Sequence, residues 1–375
     1  MSDQFTEVTT EGWGQRIAGS FMALLFGLLL LPGSIGLLYW NEGRAVIAAG
    51  ALRLGASSII EANPTVIDAA NDGKLVHLSA LMRAATPARD PLFGASADGL
   101  LRLARNVETY QWKQNTSTQT QQSLGGTKTT ETTYSYERVW SDQAINSAEF
   151  KHPDGHENRQ PTLQSANFDG SGVTIGAYQV DPSLLAKVSS FTAFHPEGAT
   201  PPAEYRAEAD GFYRGQSPEQ PAIGDSKVSF TAIPAQTISV AAALSSGTLT
   251  AYRTANGYTI ALAEPGMVPA AALFQDAMQN ASRLTWILRG VGFMMLFIGL
   301  ICLTSPLTTL FAIVPFLESM AGAGAFLVAL TLAIPITLIT IAIAWIAHRP
   351  LLGGALLVMS LGSFVLLRGM HRGRA

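Results

Sequence analysis

The chain has 375 residues, 48% of them apolar and only 14% charged, with a formal net charge of −3, where soluble domains carry about 25% charged residues. So small a net charge excludes a bulk attraction to nucleic acid or to anionic lipid, and the length accommodates one sizeable folded body beside a membrane bundle. The single cysteine, Cys302, excludes a disulfide within the chain.

The charge is unevenly distributed: residues 284–367 contain only Arg289, Glu318 and Arg349 from the Asp, Glu, Lys and Arg set. Arginine is favoured over lysine, and alanine and glycine abound, which points to a GC-rich bacterial source. Residues 1–16 are polar and read as a loose N-terminal tail. Residues 17–40 carry no charge and are solidly apolar from Phe21 to Leu31. A hydrocarbon core ~30 Å thick needs about 20 apolar helical residues, so this run is a first transmembrane helix. It is too long for the h-region of a cleaved signal peptide, and it leaves through Tyr39-Trp40, aromatic residues that suit the lipid–water interface.

Residues 41–283 hold most of the charges and read as a β-rich body outside the cytoplasm. Strand-like runs are Lys74–Met82, Leu100–Trp112, Thr132–Trp140, Gly224–Ala232, Thr237–Leu244 and Gly247–Arg253, with period-two alternation or β-branched and aromatic enrichment. A strand at 173–180 and a short helix at 182–190 lie between them. Residues 114–131 are rich in Thr, Gln and Ser around Gly125-Gly126 and read as a mobile hairpin tip. Further apolar runs follow at 285–304, 325–347 and 351–367, read as second, third and fourth transmembrane helices. An interfacial connector at 306–324 is broken by Pro315, and 368–375 is a basic C-terminal tail. The expected fold is therefore an α+β membrane protein: four transmembrane helices, one N-terminal and three C-terminal, with the β-rich body inserted between the first and second. Glycines Gly353, Gly354 and Gly362 offer close-packing faces on the fourth.

Several stretches in order and spacing resemble one family. They are Trp40-Asn-Glu-Gly-Arg-Ala45, Gly73-Lys-Leu-Val-His77, Asp90-Pro with Phe93-Gly94, Val107-Glu-Thr-Tyr-Gln-Trp112, and Thr133-Tyr-Ser-Tyr136 leading to Trp140. Ile145-Asn-Ser147, Phe150, Gly155-His156, Asn158, Gly211-Phe-Tyr213, Gly224-Asp225, Val228-Ser-Phe230 and Arg349-Pro-Leu351 continue it. Together they resemble the LUMA family, the transmembrane-protein-43 membrane proteins, and the one-then-three span arrangement is similar too. The resemblance implies an endomembrane or envelope protein with its large domain on the luminal side, and from the animal relatives an oligomerising organiser of the inner nuclear membrane and endoplasmic reticulum that binds lamina-associated partners.

Candidate chemistry is sparse. His152, Asp154 and His156 are the metal candidates, set against a Pro-Asp-Gly turn with no cysteine nearby, so no metal and no cofactor is expected. His77, His156 and His195 are available to a hydrolytic serine, but no Gly-x-Ser-x-Gly elbow accompanies them, and no enzyme is expected. The spans lack intramembrane charge for a transport path, although Pro306, Pro315 and Pro335 keep a discontinuous-helix channel in view. Trp40, Asn41, Glu42, Gly43 and Arg44 form a membrane-exit or docking point, with Glu42 pairing an arginine such as Arg283; the alternative is a helix stop with Arg44 snorkelling. Tyr110, Trp112, Tyr134, Tyr136 and Trp140 form cross-strand packing or a partner patch.

The expected function is an integral scaffold of an envelope membrane that self-associates and binds an unidentified membrane or envelope protein through its body. A small-solute channel or transporter and a membrane-adjacent hydrolase are the alternatives. Expected partners are the lipid bilayer and further copies of the chain, not nucleic acid. The expected location is a bacterial inner membrane with 41–283 in the periplasm, since long loops translocate largely regardless of charge.

Overall fold

The computed structural model describes residues 4–348. It divides into two units. One comprises 4–7, 53–118 and 132–275; the other comprises 8–52, 119–131 and 276–348.

The first unit is β-rich, as expected, and holds parts of two sheets. The larger sheet orders β1 (Gln4–Glu11), β5 (Lys128–Ser141), β4 (Arg102–Gln122), β12 (Ser226–Ile233), β11 (Gly211–Arg214) and β10 (Arg206–Glu208). Two short strands, β6 (Ala166–Asp169) and β9 (Thr192–Phe194), pair with β4 and β12. The second sheet contains β2 (Ile60–Glu61), β3 (Leu75–Thr86), β7 (Ser171–Ile175), β8 (Tyr178–Val180), β13 (Gln236–Ser245), β14 (Thr248–Thr250) and β17 (Leu262–Pro265). A small ribbon of β15 (Tyr252–Arg253) and β16 (Thr259–Ile260) stands apart.

Pairing in the second sheet closes on itself. β3 runs antiparallel to β13 with Val240 opposite Leu78, β13 to β14, β14 parallel to β8, β8 to β7, and β7 back to β3 with Ile175 opposite Met82. The ring is filled by Val76, Leu78, Met82, Ile175, Tyr178, Leu184, Ile238, Val240 and Leu249, all buried. Leu184 comes from α2 (Pro182–Leu185), whose N-terminus is capped by the Asp181 carboxylate accepting from Ser183 N. The expected helix at 182–190 is therefore only one turn long.

The larger sheet covers a separate core of Phe93, Leu103, Val107, Phe212, Val228 and Phe230. A buried ion pair runs through it: Asp90, 0% exposed, meets Arg105 at 2.7 Å. The Arg105 guanidinium lies over the Phe93 and Phe168 rings. Gly211 is required where it stands. Its φ of +146° suits glycine, and a Cβ there would lie 2.0 Å from the Val228 carbonyl oxygen.

The second unit is built on α1 (Trp13–Ser58), α3 (Ala270–Leu310) and α4 (Pro315–His348), each long and apolar enough to cross a membrane. Glycines set how closely they pack. A Cβ at Gly27 would come within 2.7 Å of the Gly299 carbonyl oxygen, and one at Gly292 within 2.7 Å of Leu38. Between α3 and α4 the core is Leu296, Phe297, Ala329 and Ala333.

Three expectations change. The fold has three candidate spans among the described residues, not four; the fourth expected helix, 351–367, and the tail 368–375 lie outside them. The connector at 306–324 is not an interfacial break: α3 continues to Leu310, a turn of 3-10 helix covers Phe311–Ile313, and α4 starts at Pro315. Proline in the first helical turn loses no intrahelical hydrogen bond, so Pro315 begins a helix rather than interrupting one. The tail is not loose, since residues 4–11 form β1 and pair with β5.

Candidate functional site

The helical unit has polar clusters at two levels of α1, about 39 Å apart at 1.5 Å per residue from Arg16 to Glu42. Between them the helix is apolar, over a length that suits a bilayer with its interfaces.

At the first level, Arg16 donates to Glu318 at 2.5 Å and to the Gly126 carbonyl at 3.0 Å. The Trp13 indole donates to the Thr309 carbonyl at 3.1 Å, and Gly125 N donates to the Ile313 carbonyl at 2.8 Å. A Cβ at Gly126 would lie 2.7 Å from the Trp13 ring. The tip of the β4–β5 hairpin is thus seated on the start of α1 and the α3–α4 turn, a docked segment in place of the expected mobile one.

The second level is the membrane-exit motif. Glu42 is 1% exposed, and α3 brings Arg289 to it in a two-pronged pair, Nε to Oε1 at 2.7 Å and Nη2 to Oε2 at 2.9 Å. From α4 the Trp345 indole donates to Glu42 Oε2 at 2.7 Å. A carboxylate in apolar surroundings is tolerated only when its oxygens are satisfied in this way. Arg289 in turn lies 4.6 Å over the Trp286 ring. Asn41 Nδ2 donates to the Thr285 carbonyl, and Arg44 Nη2 donates to both Asn41 Oδ1 and Thr285 Oγ1. Gly43 faces the His348 imidazole, where a Cβ would sit 2.7 Å from Nε2. Trp40 is 57% exposed at the outer face.

The sequence reading placed a docking point here but paired Glu42 with the wrong arginine. Arg283 instead reaches Asn280, and the partner is Arg289. Arg44 is engaged across to α3 rather than snorkelling. Arg289, Thr285, Trp345 and His348 were missed, although an isolated arginine inside an otherwise uncharged run was the available signal.

The aromatic residues of the first unit fall into two groups. Tyr110 packs on Trp140 with centroids 5.1 Å apart, and Trp140 on Tyr213 at 6.2 Å with Lys227 over its ring. Burial and the Asp225 carboxylate push the Tyr213 phenol well above its ordinary pKa. The second group surrounds the histidines: Tyr136 stacks on His156 at 3.9 Å, Trp112 meets His156 edge-on at 4.9 Å, and Phe5 of β1 stacks on His152 at 4.2 Å. Tyr134 approaches His152 edge-on and donates to Glu7, which also pairs with Lys151. The structure thus uses both imidazoles for ring packing, and Asp154 lies in the adjoining turn. No group of three or more His, Cys, Asp or Glu residues able to hold a metal occurs among the described residues. His77 bridges Glu61 at 2.6 Å and the Val268 carbonyl at 3.0 Å, and His195 lies 3.7 Å from Asp210.

Comparison with known proteins decides the family. The sequence profile described as Transmembrane protein 43 matches residues 109–350, from within β4 to the end of α4. The human protein named Transmembrane protein 43 is 30% identical over 355 residues, covering 91% of this chain and 88% of its own length. The chain belongs to the transmembrane protein 43 family. The mouse protein of that name is 29% identical over 383 residues, covering 97% of this chain and 95% of its own. A Drosophila melanogaster transmembrane protein 43 homolog is 29% identical over 353 residues, with 91% and 93% covered. No solved structure matches this chain. Family membership together with the three long apolar helices makes this an integral, multi-pass membrane protein. For this transmembrane protein 43 family member, the Glu42–Arg289–Trp345 junction is one of two levels at which polar groups tie the helices together, the other being Arg16–Glu318.

Proposed function

We propose that this transmembrane protein 43 family member is a scaffold of an envelope membrane that self-associates through its helices and binds a partner protein through the β-rich body. The observation that carries the reading is a division among the helix glycines. Gly27 and Gly292 are used up in close contacts inside the bundle, whereas Gly19 and Gly36 on α1 and Gly322 and Gly324 on α4 have no neighbour within 4 Å among the described residues. Small residues on an unoccupied helix face let a second helix approach to backbone contact in lipid. The polar clusters fasten helices together rather than line a path, which favours a scaffold over a channel. On the body, Tyr110 and Trp140, with Lys227 over the Trp140 ring, are the patch proposed for a partner protein.

The membrane we propose is a bacterial inner membrane with the body on its periplasmic side. The scaffold reading is tested by the mass of the purified full chain in detergent. A wild-type oligomer reduced to monomer by Gly322→Ile with Gly324→Ile supports it; an assembly of unchanged mass removes these glycines from the contact, and a monomeric wild type ends the reading. Ion flux through liposomes holding the chain would favour the channel instead.

A further inference from the structure

We propose that a cavity on the β-rich body, floored by Val107 and Thr109, binds a neutral sugar ring. The cavity holds about 300 Å³, at the small end of the ~300–1,000 Å³ range of small-molecule sites. Its floor belongs to β4. One wall is the loop that leaves β5 at 141–144, and the other is the segment 161–165 that leads into β6. Buried side chains of β4 clamp both walls to the floor. Gln111, 1% exposed, accepts from Ile145 N at 2.9 Å and donates to the Gln143 carbonyl at 2.9 Å. Arg105 donates through Nε and Nη2 to the Gln164 carbonyl at 3.3 and 3.2 Å, and Val107 N donates to Ser165 Oγ at 3.0 Å. The opening is therefore preformed, so that a ligand binds without the cost of ordering loops.

The lining selects the ligand. Thr109 is only 4% exposed and lines the cavity, yet its hydroxyl makes no hydrogen bond to any described residue. A buried polar group left open costs stability unless something fills its place, and a hydroxyl can both donate and accept. The carboxamides of Gln143 and Gln164, on opposite walls, have the same double capacity. Asp142 is the one charged residue of the lining and makes no ion pair among the described residues. A lone carboxylate disfavours an anion and accepts readily from hydroxyl groups. Val107, Ala144, Pro161 and Leu163 supply apolar surface beside these groups, which suits the C–H face of a sugar ring and has no use for a bare ion. The cavity lies on the face of β4 opposite Tyr110, because successive strand residues alternate. It is thus separate from the patch proposed for a partner protein and from the helices.

The test is saturation-transfer NMR of the purified full chain in lauryldimethylamine oxide, a detergent without a sugar headgroup. The probes are glucose, galactose, mannose and N-acetylglucosamine at millimolar concentration, with propylammonium as a cationic comparison. At least one sugar should receive saturation from the wild-type chain. Thr109→Val, which keeps the shape and removes the hydroxyl, should weaken its binding about fivefold, the worth of one neutral hydrogen bond. Asp142→Asn should weaken it about tenfold, since hydrogen bonds to a charged group are stronger. Ala144→Trp fills the cavity from an exposed loop position and should abolish binding, whereas Ala255→Trp, exposed but outside the cavity, should change nothing. The methyl glycoside of the bound sugar identifies its source. Binding equal to that of the free sugar supports the end unit of a glycan, and binding of the free sugar alone supports a monosaccharide. Saturation of no sugar overturns the proposal, as does saturation that persists unchanged in Ala144→Trp. Binding of propylammonium in preference to every sugar also overturns it, making Asp142 a cation site.

Discussion

Replacing Glu42 by glutamine keeps the volume and removes the charge that holds Arg289. The Arg289 side chain is 17% exposed and that of Glu42 is 2% exposed, so the guanidinium would be left nearly desolvated beside an amide. Two unit charges about 4 Å apart at an effective dielectric near 20 attract by about 4 kcal/mol. Breaking a buried pair from one side costs roughly 3–5 kcal/mol, because the remaining charge is uncompensated. Glu42→Gln should therefore destabilise the helical unit by about that amount, and Arg289→Met by a similar one. The double variant should return to within about 1–2 kcal/mol of wild type, since removing both charges also removes the desolvation cost. The assay is loss of helicity of the full chain in mixed micelles titrated with SDS, with Trp345 fluorescence as the local probe. If Glu42→Gln loses less than about 1 kcal/mol, or if the two single effects simply add in the double, the pair is not buried and coupled as described.

Other outcomes follow from the same geometry. Asp90→Ala strands Arg105 among Phe93 and Phe168 and should cost the β-rich body about 3–5 kcal/mol in urea, more than Asp90→Ala with Arg105→Met; equal losses would refute the reasoning. Gly211→Ala should prevent normal strand pairing of β11 with β12, seen as lost amide protection at 211–214, since its Cβ meets the Val228 carbonyl; unchanged protection would count against that contact. The Glu7 carboxyl is held below its ordinary pKa, first by the hydrogen bond from Lys151. Its contribution to holding β1 is thus present above the ordinary carboxylate pKa and lost as pH falls through the depressed folded value. Amide exchange of β1, corrected for intrinsic pH dependence, should speed up on acidification in wild type and be insensitive in Glu7→Gln. Gly126→Leu should displace the Trp13 ring and blue- or red-shift its emission, whereas Gly257→Leu, in open space, should not.

The long strands were legible because their alternation is written in the sequence: Val76, Leu78 and Met82 share one face of β3, and Val228, Phe230 and Ala232 one face of β12. The apolar helices were equally plain. β1 was missed because its sequence, Gln-Phe-Thr-Glu-Val-Thr-Thr-Glu, buries nothing and pairs with a strand more than 100 residues away. The start of α4 was missed because Pro315 was read as a breaker instead of a first-turn residue. At the site, Glu42 carried a clear signal as an acid at a helix exit. Its partner did not, because the choice between Arg283 and Arg289 depends on helix rotation, which spacing alone does not determine. The hairpin tip was read from composition, and composition says nothing about a backbone carbonyl meeting Arg16.

That carbonyl has a consequence for sidedness. Gly126 and Arg16 are 110 residues apart in the chain yet hydrogen-bonded, so whichever compartment holds the foot of α1 also holds the loop. Strands of Thr, Gln and Ser have no means of satisfying their flanks among acyl chains. Reagents that reach a cysteine at Thr120 should therefore reach one at Thr10 from the same side.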